Sequence, residues 1–247
     1  MARAYAFNPE RSEGSTENSR RLATNSAFAQ FSVSKPRRRH PVRPGGPHGR
    51  DPLALLEYDP RRMSIDPPRT GDEIVSALGQ HQIDSDSFWT EFTTDEFFRP
   101  IGASWSPAEA VRHLTKSTRA VAKALRYPKI LLWVRFGASG RPSVSYDALR
   151  TRYQQALDDG GKAGRFAPSQ RSSDDLEAWR HSIMSEFANV QTDLRTAISR
   201  WSEKQLDRLQ LPHPLLGKLT VREMLFFTLY HLQHHVAVVK RRLAEAH

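Results

Sequence analysis

Between Ser172 and Trp201 the chain reads SSDDLEAWRHSIMSEFANVQTDLRTAISRW, with large apolar residues at Leu176, Trp179, Ile183, Phe187, Val190, Leu194 and Ile198. The steps between them are three or four residues, so a single stripe of an α-helix carries all seven. A β-strand, whose side chains alternate with a period of two, cannot do this. Asp174, Asp175 and Glu177 stand at the start of the stretch, where the positive end of the helix dipole favours them. A helix this long, apolar along one stripe only, has to bury that stripe against other helices.

The rest of the chain supplies them. Residues 72–91 carry Ile74, Val75, Leu78, Ile83 and Phe88 at helical spacing. SPAE (106–109) is a capping box with Ser106 as N-cap, Pro107 at the first helical position and Glu109 three residues after the cap. The helix it opens runs to about Arg126, ahead of Tyr127-Pro128, and places Ala110, Leu114, Ser117, Val121 and Ala124 inward beside His113. KILLWVRFG (129–137) is apolar enough for strand or helix, and its helical surroundings favour helix. SYDALRTRYQQALDDGG (145–161) reads as a helix capped by Ser145 and stopped by Gly160-Gly161, with the loop GKAGRFAPSQ after it. A second capping box, TVRE (220–223), opens a last helix over 221–245. No stretch reads convincingly as strand, and no internal repeat occurs. The expected fold is all-α, a four-helix bundle with extra short helices.

Composition sets limits on function. The formal net charge is +10, but residues 1–62 hold 12 Lys and Arg against 6 Asp and Glu, which leaves only +4 for residues 63–247. The first segment, with KPRRRHPVRPGGPHGR at 35–50, is too poor in aliphatics to offset chain entropy and is expected to be a disordered basic extension. Met63 opens MSIDPPRTGDEIVSAL, which reads as a natural protein start, so the expected domains are the extension, 1–62, and the bundle, 63–247. The charge outside the extension is too mild to point to nucleic acid. There is no cysteine, which removes disulfides, Cys-ligated zinc and a cysteine nucleophile together. No run of about 18 apolar residues suggests a membrane span, and no apolar leader suggests secretion. A cytoplasmic protein with no membrane partner is the expectation.

The chemistry-bearing stretch is LYHLQHH (229–235). On a helix it sets His231 and His235 on one face, four residues apart, with His234 a step round. Met224, Thr228, Val238 and Val239 share that face, so both imidazoles point inward. Such a pair holds one divalent ion, and imidazole suits Zn, Ni, Cu or Fe. A catalytic site ordinarily has three protein ligands and an open position. The third has to come from another helix, where His113 is the best placed residue. The competing reading, core histidines satisfied by hydrogen bonds, stays open on spacing alone. The chain has no HExxH, which excludes a zinc protease with a glutamate base on this helix.

In combination, ASWSPAEAVRHL (103–114), LPHPLLGKLTVRE (211–223) and FFTLYHLQHH (226–235) resemble the DinB-like superfamily, bacterial metal-binding four-helix bundles that include bacillithiol- and mycothiol-dependent transferases. The resemblance covers roughly residues 72–245. It rests on a tryptophan before the second long helix, a histidine near that helix's start, and H-x-x-x-H on the last helix. It implies His113, His231 and His235 as ligands of one divalent transition metal, without choosing among Zn, Ni, Fe and Mn. It further implies a metal-dependent thiol S-transferase or hydrolase acting on a small molecule, with the thiol brought by a low-molecular-weight cofactor. A non-catalytic interaction or stress-response module, with or without metal, is the alternative, and a homodimer is compatible with either. His234, His213, Trp105, Tyr230, Arg112, Arg119 and Arg135 are expected to pack or to face solvent.

Overall fold

The computed structural model describes residues 67–169 and 171–246, so the basic extension and its boundary lie outside the described residues. Four long helices make up the frame: α1 (Gly71–Thr90), α3 (Pro107–Arg126), α6 (Leu176–Ile198) and α8 (Val221–Ala246). Four shorter ones are α2 (Thr94–Phe98), α4 (Lys129–Phe136), α5 (Tyr146–Asp158) and α7 (Glu203–Arg208), with one 3-10 turn at Gly164–Phe166. Capping boxes start α1, α2, α3 and α7, at Thr70, Thr93, Ser106 and Ser202. Each satisfies backbone N–H groups that a helix start leaves without partners.

Side-chain pairs between helices fix their directions. Along α3, Arg112 lies over the Trp179 ring, Arg119 pairs with Glu186 and Arg126 with Asp193. Both helices advance by seven residues at each contact, so α3 and α6 run parallel. Arg180 of α6 reaches the carbonyls of Trp89 and Thr90 at the end of α1, while Arg195 bonds Gln82 further back, so α1 and α6 are antiparallel. Arg222 meets the carbonyl of Arg69 before α1 and Lys240 lies over the Phe88 ring near its end, which makes α8 parallel to α1. The bundle is therefore up-down-down-up, and α1, α6, α3 and α8 form a closed ring of neighbours. Phe187, Leu114, Leu194, Ile74 and Leu225 are among the side chains sealed inside it.

The structure departs from the sequence-based expectation in two places. Gln210–His213 and Gly217–Thr220 form a two-stranded antiparallel hairpin, in a stretch where no strand was expected. Its strands are four residues long and contain a proline at their edge, so no alternating pattern could develop. Gly217, at φ 73, supplies the left-handed residue its turn requires. Ile83 is 67% exposed rather than inward, because His81 and Ser85 occupy the buried face of α1. Helix α4 forms as expected, and of its apolar residues only Leu132 is buried.

Candidate metal centre

α3 and α8 bring the histidines together. The capping box at Ser106 sets the start of α3, two turns before His113. The register of α8 is set by Glu223, a fully buried carboxylate two turns before His231. It accepts hydrogen bonds from the backbone N–H groups of Thr220 (2.9 Å) and Val144 (2.8 Å), and both guanidinium nitrogens of Arg141 donate to it. Those bonds hold its carboxyl below the usual range, although burial acts in the opposite direction and is the largest single influence. Arg222, beside it, bonds Asp207 and Glu203.

His113 Nε2 lies 3.0 Å from His231 Nε2, and His235 Nε2 lies 3.1 Å from the same atom. Three imidazoles from two helices therefore converge on one point, and their ligand atoms all fall within 4.8 Å of one another. His113 Nδ1 sits 2.9 Å from the carbonyl of Phe166, which can only accept a proton. That contact fixes the N–H of His113 at Nδ1 and leaves its Nε2 lone pair facing the cluster. Around the rings, the Trp105 indole stacks on His235 at 7° and 6.1 Å between centroids, and Phe227 stacks on His231 at 20° and 5.1 Å.

Burial holds all three imidazoles neutral. It depresses His113, with Lys116 adding repulsion, and places His231 and His235 well below the ordinary histidine range, where each also repels the other cluster members' charge. Three neutral nitrogens, two of them about 3 Å from the third, cannot all be satisfied by one another. With the Nδ1 tautomer fixed on His113, one proton on His231 Nε2 has two lone pairs to serve. The set fits a divalent ion instead: a tetrahedral ion with bonds of about 2.0–2.1 Å has its ligand atoms about 3.3 Å apart. Among the described residues no carboxylate joins the cluster.

His213 is buried beside the cluster, 4.2 Å from the Phe227 ring, but its Nδ1 accepts hydrogen bonds from the N–H groups of Leu215 (3.2 Å) and Leu216 (3.1 Å). That lone pair is committed to the hairpin turn. His234 turns away from the trio to pack against Tyr153 and Tyr230. Arg112 donates to Ser169, and Lys116 to the carbonyl of Ala167. Together with His113, they strap the 3-10 turn and the loop after it onto α3. The expectation that Trp105 simply packs is refined, since it packs on a member of the trio. Sequence reasoning missed Phe166, because a backbone carbonyl acts the same in any residue; the only signal was a glycine-rich loop of the right length.

An all-α bundle of up-down-down-up topology, with a histidine trio between its second and last long helices, is the class defined by fold and site. Residues 77–239 match the family model of the DinB superfamily, and the chain belongs to that superfamily. No curated protein and no solved structure matches it.

Proposed function

We propose that the protein holds one divalent transition metal on the Nε2 atoms of His113, His231 and His235 and uses it to act on a small molecule. The observation that carries this reading is the convergence of three neutral imidazoles, with His113 and His235 each placing Nε2 about 3 Å from Nε2 of His231 and one tautomer already fixed by Phe166. An ion held by three neutral ligands keeps its full charge, and it would lower the pKa of a water or a low-molecular-weight thiol at its remaining position. The chain's own residues supply the rest. Phe166 orients His113, Trp105 and Phe227 hold the His235 and His231 rings against rotation, and the apolar walls keep bulk water from competing. With no cysteine in the chain, a transferred thiol has to come from outside. Transfer of a thiol to a small electrophile, or hydrolysis by activated water, are the two reactions this arrangement supports.

The test is metal content. Untagged protein purified without added metal should carry about one equivalent of a transition metal, and the His231→Ala, His235→Ala double variant should carry essentially none. Equal metal in both would overturn the ligand assignment. Metal-loaded protein supplied with bacillithiol, mycothiol or glutathione and an electrophile should then consume thiol only when the trio is intact. Turnover of no thiol and no ester, by protein carrying full metal, would make the bundle a non-catalytic module.

A further inference from the structure

The exposed face of α4 has no role in the centre described above. This helix is inverted relative to the others: Leu132 is its one buried apolar anchor, while Ile130 (61%), Leu131 (54%), Trp133 (51%) and Val134 (70%) face solvent, beside Tyr127 (59%). Ile130 and Val134 stand four residues apart at the crest, with Leu131 and Trp133 on the slopes. Five large apolar side chains this exposed and this close together exceed what scattered surface residues account for.

The charge carried by α4 and its flanking segments of chain has one sign. Between Ala110 and Tyr146 the chain has eight Lys and Arg and no Asp or Glu. Lys129 lies over the Trp201 ring and donates to the carbonyl of Arg200, and Lys218 donates to the carbonyl of Phe136, so α4 sits among Lys129, Arg135, Arg200 and Lys218. Three of the eight are held by acids from elsewhere in the fold, Arg119 by Glu186, Arg126 by Asp193 and Arg141 by Glu223, and Lys129 and Arg135 on α4 itself are not among them. A convex apolar crest with tryptophan and tyrosine on its flanks and a basic rim matches a soft anionic surface: apolar groups enter the acyl boundary, aromatic rings sit at headgroup level and cations meet the phosphates. A second copy fits less well, because a two-fold pairing would set one basic rim against the other.

We propose that α4 is an interfacial anchor that seats this domain on anionic lipid bilayers. No helix among the described residues is long and apolar enough to cross a membrane, so the contact is with the bilayer surface. The proposal is independent of what the histidine trio binds.

Co-sedimentation of the full chain with vesicles tests it. The protein should bind vesicles of equal phosphatidylglycerol and phosphatidylcholine far better than phosphatidylcholine alone. Replacing Ile130, Trp133 and Val134 together by serine, which leaves every charge in place, should weaken binding at least about tenfold. The serines leave all 12 Lys and Arg of residues 1–62 in place, so equal binding by both proteins would overturn the proposal. So would failure of the wild type to bind. Val134→Asp, a single change at the most exposed position, serves should the triple variant lose its helical signal, and is expected to weaken binding in the same direction. A wild-type dimer in lipid-free solution that dissociates in the serine variant would assign the face to a second copy instead.

Discussion

At the scale of single residues, the fold's polar interior is as informative as its apolar one. His81 is 5% exposed on α1, and its Nε2 has no hydrogen-bond partner. Burial pushes it down to about 4, against an ordinary value of about 6.5. The unfolded chain therefore binds a proton at His81 below pH ~6.5 that the folded domain refuses until about pH 4. The sign follows: stability is undiminished above pH ~6.5 and is lost as pH falls toward 4. From pH 7 to 5 the loss from this one group is about 2 kcal/mol. Urea unfolding of His81→Leu at the two pH values should show a drop smaller by about that amount, and stability at pH 7 no lower than wild type, since an unsatisfied buried nitrogen disappears. An unchanged drop would mean that water reaches His81. None of this was legible in the sequence, where Ile83 had the better claim to the buried face. Helical spacing alone does not choose between two neighbouring faces when one carries a histidine and a serine and the other an isoleucine.

At the scale of elements, legibility followed the strength of local signals. The capping box at Ser106 and the Ser145 cap are written within single turns, the stripe of α6 recurs at every turn, and each produced its helix where expected. The hairpin was invisible because two four-residue strands and a proline leave no pattern to read. The histidine pair on α8 was legible from spacing, and the inward side of α3 suggested His113. The Phe166 carbonyl and the Trp105 stack, which orient the rings, depend on tertiary placement. The role of Glu223 was half legible: TVRE announces a cap, but its pairing with Arg141, whose side chain is 43% exposed, joins α8 to the loop before α5. Glu223→Ala leaves that loop's N–H at Val144 and the N–H of Thr220 without acceptors, and costs about 3–5 kcal/mol by analogy with other broken buried pairs. Arg141→Ala leaves the carboxylate two backbone donors and should cost clearly less. Thermal unfolding of both variants checks the order, and equal or inverted costs would show that the guanidinium, rather than the backbone bonds, holds Glu223 in place.

At the scale of the whole molecule, the trio joins the second and last long helices, residues far apart in the chain but in direct contact across the bundle. An ion bound there would have no preformed site in the unfolded chain, so its binding free energy adds to folding stability. At a free metal concentration one hundred times the dissociation constant, the gain is about 2.7 kcal/mol. For a domain of this size, that is a rise of several degrees in melting temperature. His113→Ala separates this from nonspecific effects, since it removes the candidate ligand on α3 and leaves the His231–His235 pair on α8. A pair within one helix can still hold an ion weakly, but it cannot tie two helices together. The wild type should therefore melt at a higher temperature with added zinc or nickel than with chelator, while the melting temperature of His113→Ala hardly moves even where residual metal binding is measurable. An equal rise in both would place the stabilising ion on α8 alone, and no rise in either would make the trio a cluster of buried neutral histidines. The same melts, repeated on Ile130→Ser, Trp133→Ser, Val134→Ser protein, should give the wild-type rise, because the exposed ridge of α4 and the buried trio share no contact.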